Sequence, residues 1–118
     1  MPRTNITKQT ASARTFPWST AGLALTWTDA DVANKNETAA CSQMLILARN
    51  TGGSTRNVVV TSTADTRTGR TGNATATIAA GAQWMHLISR DGWQSATETF
   101  EFEGDHADVE FALIELVA

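Results

Sequence analysis

The chain has 118 residues, a formal charge of −3 and one cysteine. That length makes a single domain with room for its own core. The charge excludes the broad nucleic-acid affinity that clustered Lys and Arg confer, and a lone cysteine excludes an internal disulfide or a Cys-rich metal site. Thr and Ala, 19 of each, dominate while Tyr is absent; β-branched Thr suits the wet face of a strand, so a mainly β chain is predicted.

Residues 1–21 hold neither a period of 2 nor one of 3.6 and read as an extended N-terminal arm, with the folded domain over 22–118. Arg3, Lys8 and Arg14 give the arm its charge. Phe16 and Trp18 mark it as a docking segment, since a free tail seldom keeps two large aromatics in water. The first 20 residues lack the apolar stretch of a secretory leader, and no run approaches a membrane span. The expectation is a protein made in the cytosol, in which the Asn-x-Thr sequons at Asn5, Asn36 and Asn73 are chance occurrences.

GLALTWT (22–28) alternates Leu23, Leu25 and Trp27 against small polar residues, the pattern of a half-buried strand. Residues 28–36 allow a turn of helix capped by Thr28 or Asp29. QMLILAR (43–49) and RNVVVTST (56–63) read as strands joined by the turn chemistry of NTGGST, hence as an antiparallel pair. NATATIA (73–79), AQWMHLI (82–88), TETFEFE (97–103) and VEFALIELV (109–117) complete seven or eight strands, the last apolar on both faces and so central or covered. Turn signals every 8–15 residues and no long helix predict an all-β fold: a single-domain β-sandwich, jelly-roll-like, behind its arm. The predicted core is Leu23, Leu25, Trp27, Leu45, Leu47, Val58, Val60, Ile78, Phe100, Phe102, Phe111 and Leu113.

The charges are unevenly spread. No acid occurs from Met1 to Thr28, whereas residues 91–118 hold eight acids and no base. Such a start and end attract each other, within a subunit or between subunits, unless they are simply a basic tail and a solvated acidic face.

Chemistry-bearing motifs fare poorly. DTRTGRTGN (65–73) lacks the Lys and the glycine spacing of a phosphate loop and has no helix after it, so it reads as a loop between strands. No Gly-x-Ser-x-Gly elbow occurs. His86 falls in a strand pattern and His106 in an acidic turn. Asp105, His106, Asp108 and Glu110 offer hard ligands without EF-hand spacing, so no metal is assigned. Glu101 and Glu103 point the same way along one strand, but glycosidase carboxylates flank a cleft from opposite sides. Trp84 and Trp93 suit a sugar platform or, better, packing in a core or subunit interface. Cys41 reads as a buried inert thiol. The expectation is no enzyme, no cofactor, no nucleic acid and no membrane.

In order along the chain, PRTNITK, LTWTDADVANKN, LILARNTG, VVVTSTADTRTGRTGNATA, IAAG and VEFALIEL resemble a family of small β-sandwich virion proteins encoded among the head genes of tailed bacteriophages. Members carry a Gly-Pro-Phe-like turn where this chain has Leu87-Ile88-Ser89-Arg90. The resemblance implies a capsid decoration (cement) protein on the outside of the head, often trimeric, stabilising the shell through the major capsid protein. In that reading Arg3, Lys8, Arg14, Phe16 and Trp18 contact the capsid or a neighbouring subunit. The alternatives are a tail or head–tail connector component and a receptor- or glycan-binding virion module.

Overall fold

The computed structural model describes residues 2–12, 24–63 and 72–117. They form an all-β sandwich of two five-stranded sheets. Sheet A has the order β1 (Thr4–Asn5), β4 (Asn36–Ala39), β9 (Thr99–Gly104), β6 (Arg56–Val60), β7 (Ala74–Ile78). Sheet B has β2 (Gln9–Ser12), β10 (Val109–Val117), β5 (Gln43–Asn50), β8 (Gln83–Ser89). β3 (Thr28–Asp29) also pairs with β10. It takes the Glu110–Phe111 end, while β2 takes Ile114–Val117.

The sheets meet through inward positions of period 2. Phe100 and Phe102 of β9 and Val58 and Val60 of β6 face Phe111 and Leu113 of β10, all buried. The Phe102 and Phe111 rings bridge the two layers edge to face, 4.7 Å between centroids, the geometry the ring quadrupole favours. Gly104 is required where β9 leaves sheet A: a Cβ there would lie 3.0 Å from the Val109 side chain and 3.1 Å from that of Ala30.

The structure revises several sequence expectations. Strand β5 buries Met44, Ile46 and Ala48, not Leu45 and Leu47, which are only half-buried on the opposite face. Leu25 is exposed, and residues 24–27 form no strand. The amide of Gln9 stands in for a strand neighbour, donating to Ala24 O at 2.7 Å and accepting from Thr26 N at 2.9 Å. Leu23 lies outside the described residues. The turn before β4 is capped by Asp31, whose Oδ1 accepts from Asn34 N at 3.0 Å, rather than by Thr28 or Asp29. Over residues 2–12 the extended N-terminal segment contributes β1 to sheet A and β2 to sheet B, both in parallel pairings.

Strands β5 and β6 are not a hairpin: they lie in different sheets. The cause is Asn50, fully buried at the end of β5. Its amide nitrogen donates to Ser54 O at 2.6 Å and to Ile78 O at 3.0 Å, and its Oδ1 accepts from Gly52 N at 3.0 Å. These bonds turn the chain across the sandwich and tie that crossing to the end of β7. Replacing Asn50 by Ala removes the partner of Gly52 N, Ser54 O and Ile78 O, the last of these in a buried position. Asn50→Ala is expected to cost about 2–3 kcal/mol, read as a lower midpoint in urea at unchanged slope.

Candidate functional site

Two of the five residues singled out as contacts are described, and both bond within this chain. Arg3 lies across the rim of sheet A. Its guanidinium donates to Asn36 O at 3.1 Å and Phe102 O at 3.3 Å, and pairs with Glu101 at 3.3 Å. Lys8 sits where the chain crosses from β1 to β2, donating to Ala39 O at 2.6 Å with Glu115 4.0 Å away. The basic start thus meets the acidic end inside one subunit. Exposed ion pairs contribute about 0–1 kcal/mol; the carbonyl bonds, which fix strand register, matter more. Arg14, Phe16 and Trp18 lie outside the described residues.

The remaining charged candidates are similarly engaged. Glu103 pairs with Lys35 at 3.4 Å, Asp108 with Arg56 at 3.3 Å, and Glu110 with Arg49 at 2.6 Å. Asp105 accepts from the backbone and side chain of Asn57. The carboxylates weighed as metal ligands are therefore apportioned among bases and amides. Among the described residues no group of three His, Cys, Asp or Glu side chains is placed to hold a metal ion. His106 Nδ1 accepts from Asp108 N at 3.0 Å. The His86 ring lies between Trp84 and Trp93, at 5.7 Å and 5.4 Å, with Nδ1 2.9 Å from Leu87 O. Cys41 is buried, its thiol 3.4 Å from Gln43 O, and burial pushes its pKa up; neither position suits a nucleophile. Of DTRTGRTGN, Gly72 and Asn73 are described. Gly72 N donates to Ser62 Oγ at 3.0 Å and Asn73 Oδ1 accepts from Ser62 N at 2.9 Å, closing the base of the loop between antiparallel β6 and β7.

Among the described residues, the outer face of sheet B carries exposed apolar surface. Trp27 stacks on the Arg49 guanidinium, 4.3 Å from its carbon to the ring centroid. A cleft of about 260 Å³ beside it is lined by Trp27, Leu47, Gln83, Trp84 and Met85. Met85 and Leu87 continue the apolar surface, 59% and 51% exposed. Trp93, by contrast, is buried and offers no platform. Sequence inspection missed this cleft because Trp27 was assigned to the core. The signal available was Arg49, two residues from Leu47 and so on the same face. Comparison with protein-family models, curated proteins and solved structures returned no match.

One electrostatic conflict is built into the same sheet. Asp29 lies directly opposite Glu110 in the β3–β10 ladder. The hydrogen bond it shares with Glu110 raises the Asp29 pKa, helped by desolvation and by the negative charges of Glu110 and Asp108. A carboxyl raised on folding favours the fold while it keeps its proton, and that contribution is lost as pH rises through the raised value. Asp29→Asn is expected to melt higher than the parent at neutral pH. The gap should close as pH falls below the ordinary carboxylate range. A gap that is constant with pH in thermal melts excludes the shared proton as its cause.

Proposed function

We propose that this chain is a structural protein of a tailed-phage virion, a homo-oligomeric decoration protein on the outside of the head whose partner is the major capsid protein. The observation that carries the reading is how the chain uses its polar groups. Arg3, Lys8, Lys35, Arg49 and Arg56 all pair with acids of the same chain, and the N-terminal strands lace both sheets together. That is the construction of a rigid brick, and the surface it leaves open is apolar. A head under the pressure of packaged DNA is stabilised by external proteins that bridge neighbouring capsomers and add interface area. The ordered resemblance along most of the chain supports the same role, including a trimeric assembly.

The N-terminal arm, residues 1–21, is the segment proposed to touch the shell or a neighbouring subunit, and of its five contact residues Arg3 and Lys8 are already engaged within the chain. Arg14, Phe16 and Trp18 would supply one charge and two apolar anchors, the residue types that dominate binding hot spots.

Copy number per purified particle, measured by quantitative mass spectrometry against the major shell protein, tests the role. Hundreds of copies are expected; a handful would place the protein at a vertex or tail, and none would remove it from the virion. Phe16→Ala combined with Trp18→Ala is expected to lower occupancy on isolated heads at least tenfold without changing the circular dichroism of the free protein. Undiminished occupancy would take the capsid contact away from this segment.

A further inference from the structure

Residues 24–29 form a strap along sheet B, and its attachments are few. Strand β3 pairs with β10 over two residues, Thr28 and Asp29, both exposed. Upstream, the Gln9 amide holds Ala24 O and Thr26 N. Downstream, Ala30 is buried and its N–H donates to Val109 O at 2.8 Å, a fixed point from which the strap departs. β3 borders β10 and β10 borders β5, so Trp27 reaches across β10 to stack on Arg49 of β5. It thereby crosses the outward side of β10, where Ala112 is fully buried, and walls the cleft it shares with Leu47 and Met85.

Four side chains close a ring at the end of the strap. Asp29 stands opposite Glu110 in the β3–β10 ladder, and Glu110 stands opposite Arg49 in the β10–β5 ladder. Arg49 Nε is 2.6 Å from Glu110 Oε1, and its guanidinium carbon is 4.3 Å from the Trp27 ring centroid. Trp27, two residues before Asp29, completes the circuit. Like charges directly opposite one another destabilise a sheet, and here they meet in a strand of two residues. Asp29 nevertheless hydrogen-bonds Glu110, which two carboxyl groups can do only with a proton between them. Among the described residues Arg49 is the base in contact with the pair. Asp108, the next acid acting on Asp29, is paired with Arg56 at 3.3 Å and lies 3.2 Å from His106 Nδ1. Asp31, further along the chain, is bonded to Thr4 and Asn34.

We propose that the Asp29–Glu110 pair is a latch: with one proton between the carboxyls the strap is held against β10 and Trp27 walls the cleft, and with both ionised the strap detaches as far as Ala30 and uncovers the outward side of β10. The direction follows from the Asp29 carboxyl, raised on folding first by the Glu110 bond and next by desolvation. A raised acid contributes its hold below the ordinary carboxylate range and loses it as pH rises through the raised value. The closed form therefore gains in acid, and the open form gains toward neutrality. Opening disturbs little else, because Ala24, Leu25, Thr26, Thr28 and Asp29 are exposed, and segments with few buried contacts open locally without global unfolding. The latch requires neither a capsid nor a second copy of the chain.

Amide hydrogen exchange of the full chain, followed residue by residue by NMR and corrected for the intrinsic effect of pH, tests it. The probe is Thr26 N–H, which donates to Gln9 Oε1. The references are Ala30 N–H on Val109 O and Asn50 N–H on Ala82 O. From about pH 4 to about pH 7, Thr26 protection is expected to fall about threefold or more while both references hold. Asp29→Asn, whose amide donates to Glu110 without a shared proton, is expected to keep Thr26 protection level across the same range. Glu110→Gln, donating to Asp29 in turn, should do the same and serves if Asp29→Asn misfolds. Level Thr26 protection in the parent overturns the proposal, as does an equal fall in both variants. A fall shared by Ala30 and Asn50 also overturns it, since the whole fold rather than the strap would then be responding.

Discussion

The structure depends on one constraint: nearly every connection must cross from one sheet to the other. From β3 onward the chain changes sheets between consecutive strands everywhere except at β6–β7, and β1 and β2 are likewise divided between the layers. Each crossing carries backbone polar groups over the rim of a dry core, where an unmade hydrogen bond is costly. Two buried asparagines meet that demand. Asn50 satisfies the β5–β6 crossing and binds it to β7. Asn36 accepts from Asp31 N at 2.9 Å and reaches Thr4 O at 3.4 Å, joining the β3–β4 turn to β1. The aromatic contact between Phe102 and Phe111 can form only once these crossings bring β9 and β10 face to face.

Such wiring makes most stabilising contacts distant in sequence. Strand β10 joins β2, β3 and β5, and its partners span residues 9 to 50. The entropy of closing those loops must be met before the contacts repay it, so folding is slow by comparison with local topologies. Unpaired strands such as QWMHLIS then spend longer exposed.

How far this was legible in the sequence follows from where the information resides. Strands β9 and β10 announce themselves because Phe and Glu alternate along TFEFE and because VEFALIELV is too apolar for an edge. The face of β5 did not, since MLILA is apolar on both sides and hydrophobicity alone is silent about its phase. Only Gln43 and Arg49, sharing odd positions with Leu45 and Leu47, mark which side looks outward. The β5–β6 hairpin was misread because NTGGST has hairpin chemistry, while the decisive bonds come from Asn50 to residues up to 28 positions away. The attraction of basic start to acidic end was visible; that Arg3 would choose Glu101, and that its donors would also go to backbone carbonyls, depends on the β1–β4–β9 register. Trp27 reads as a core position because it alternates with Leu23 and Leu25, yet it stacks outside, where a cation rather than the core covers one ring face.

The division of labour across the surface has a functional consequence that reaches beyond any single contact. Five of the six described Lys and Arg residues are spent on internal ion pairs, while Arg90 donates to Gln94 Oε1 and Ala40 O; such pairs lose strength with salt and gain little from a partner. A binder that relied on electrostatic capture would leave some of those bases free. Any association through this described surface would draw instead on apolar area, whose contribution is weakly salt-dependent. Among the described residues such area lies on the outer face of sheet B, where exposed Met85 and Leu87 flank the cleft beside Trp27.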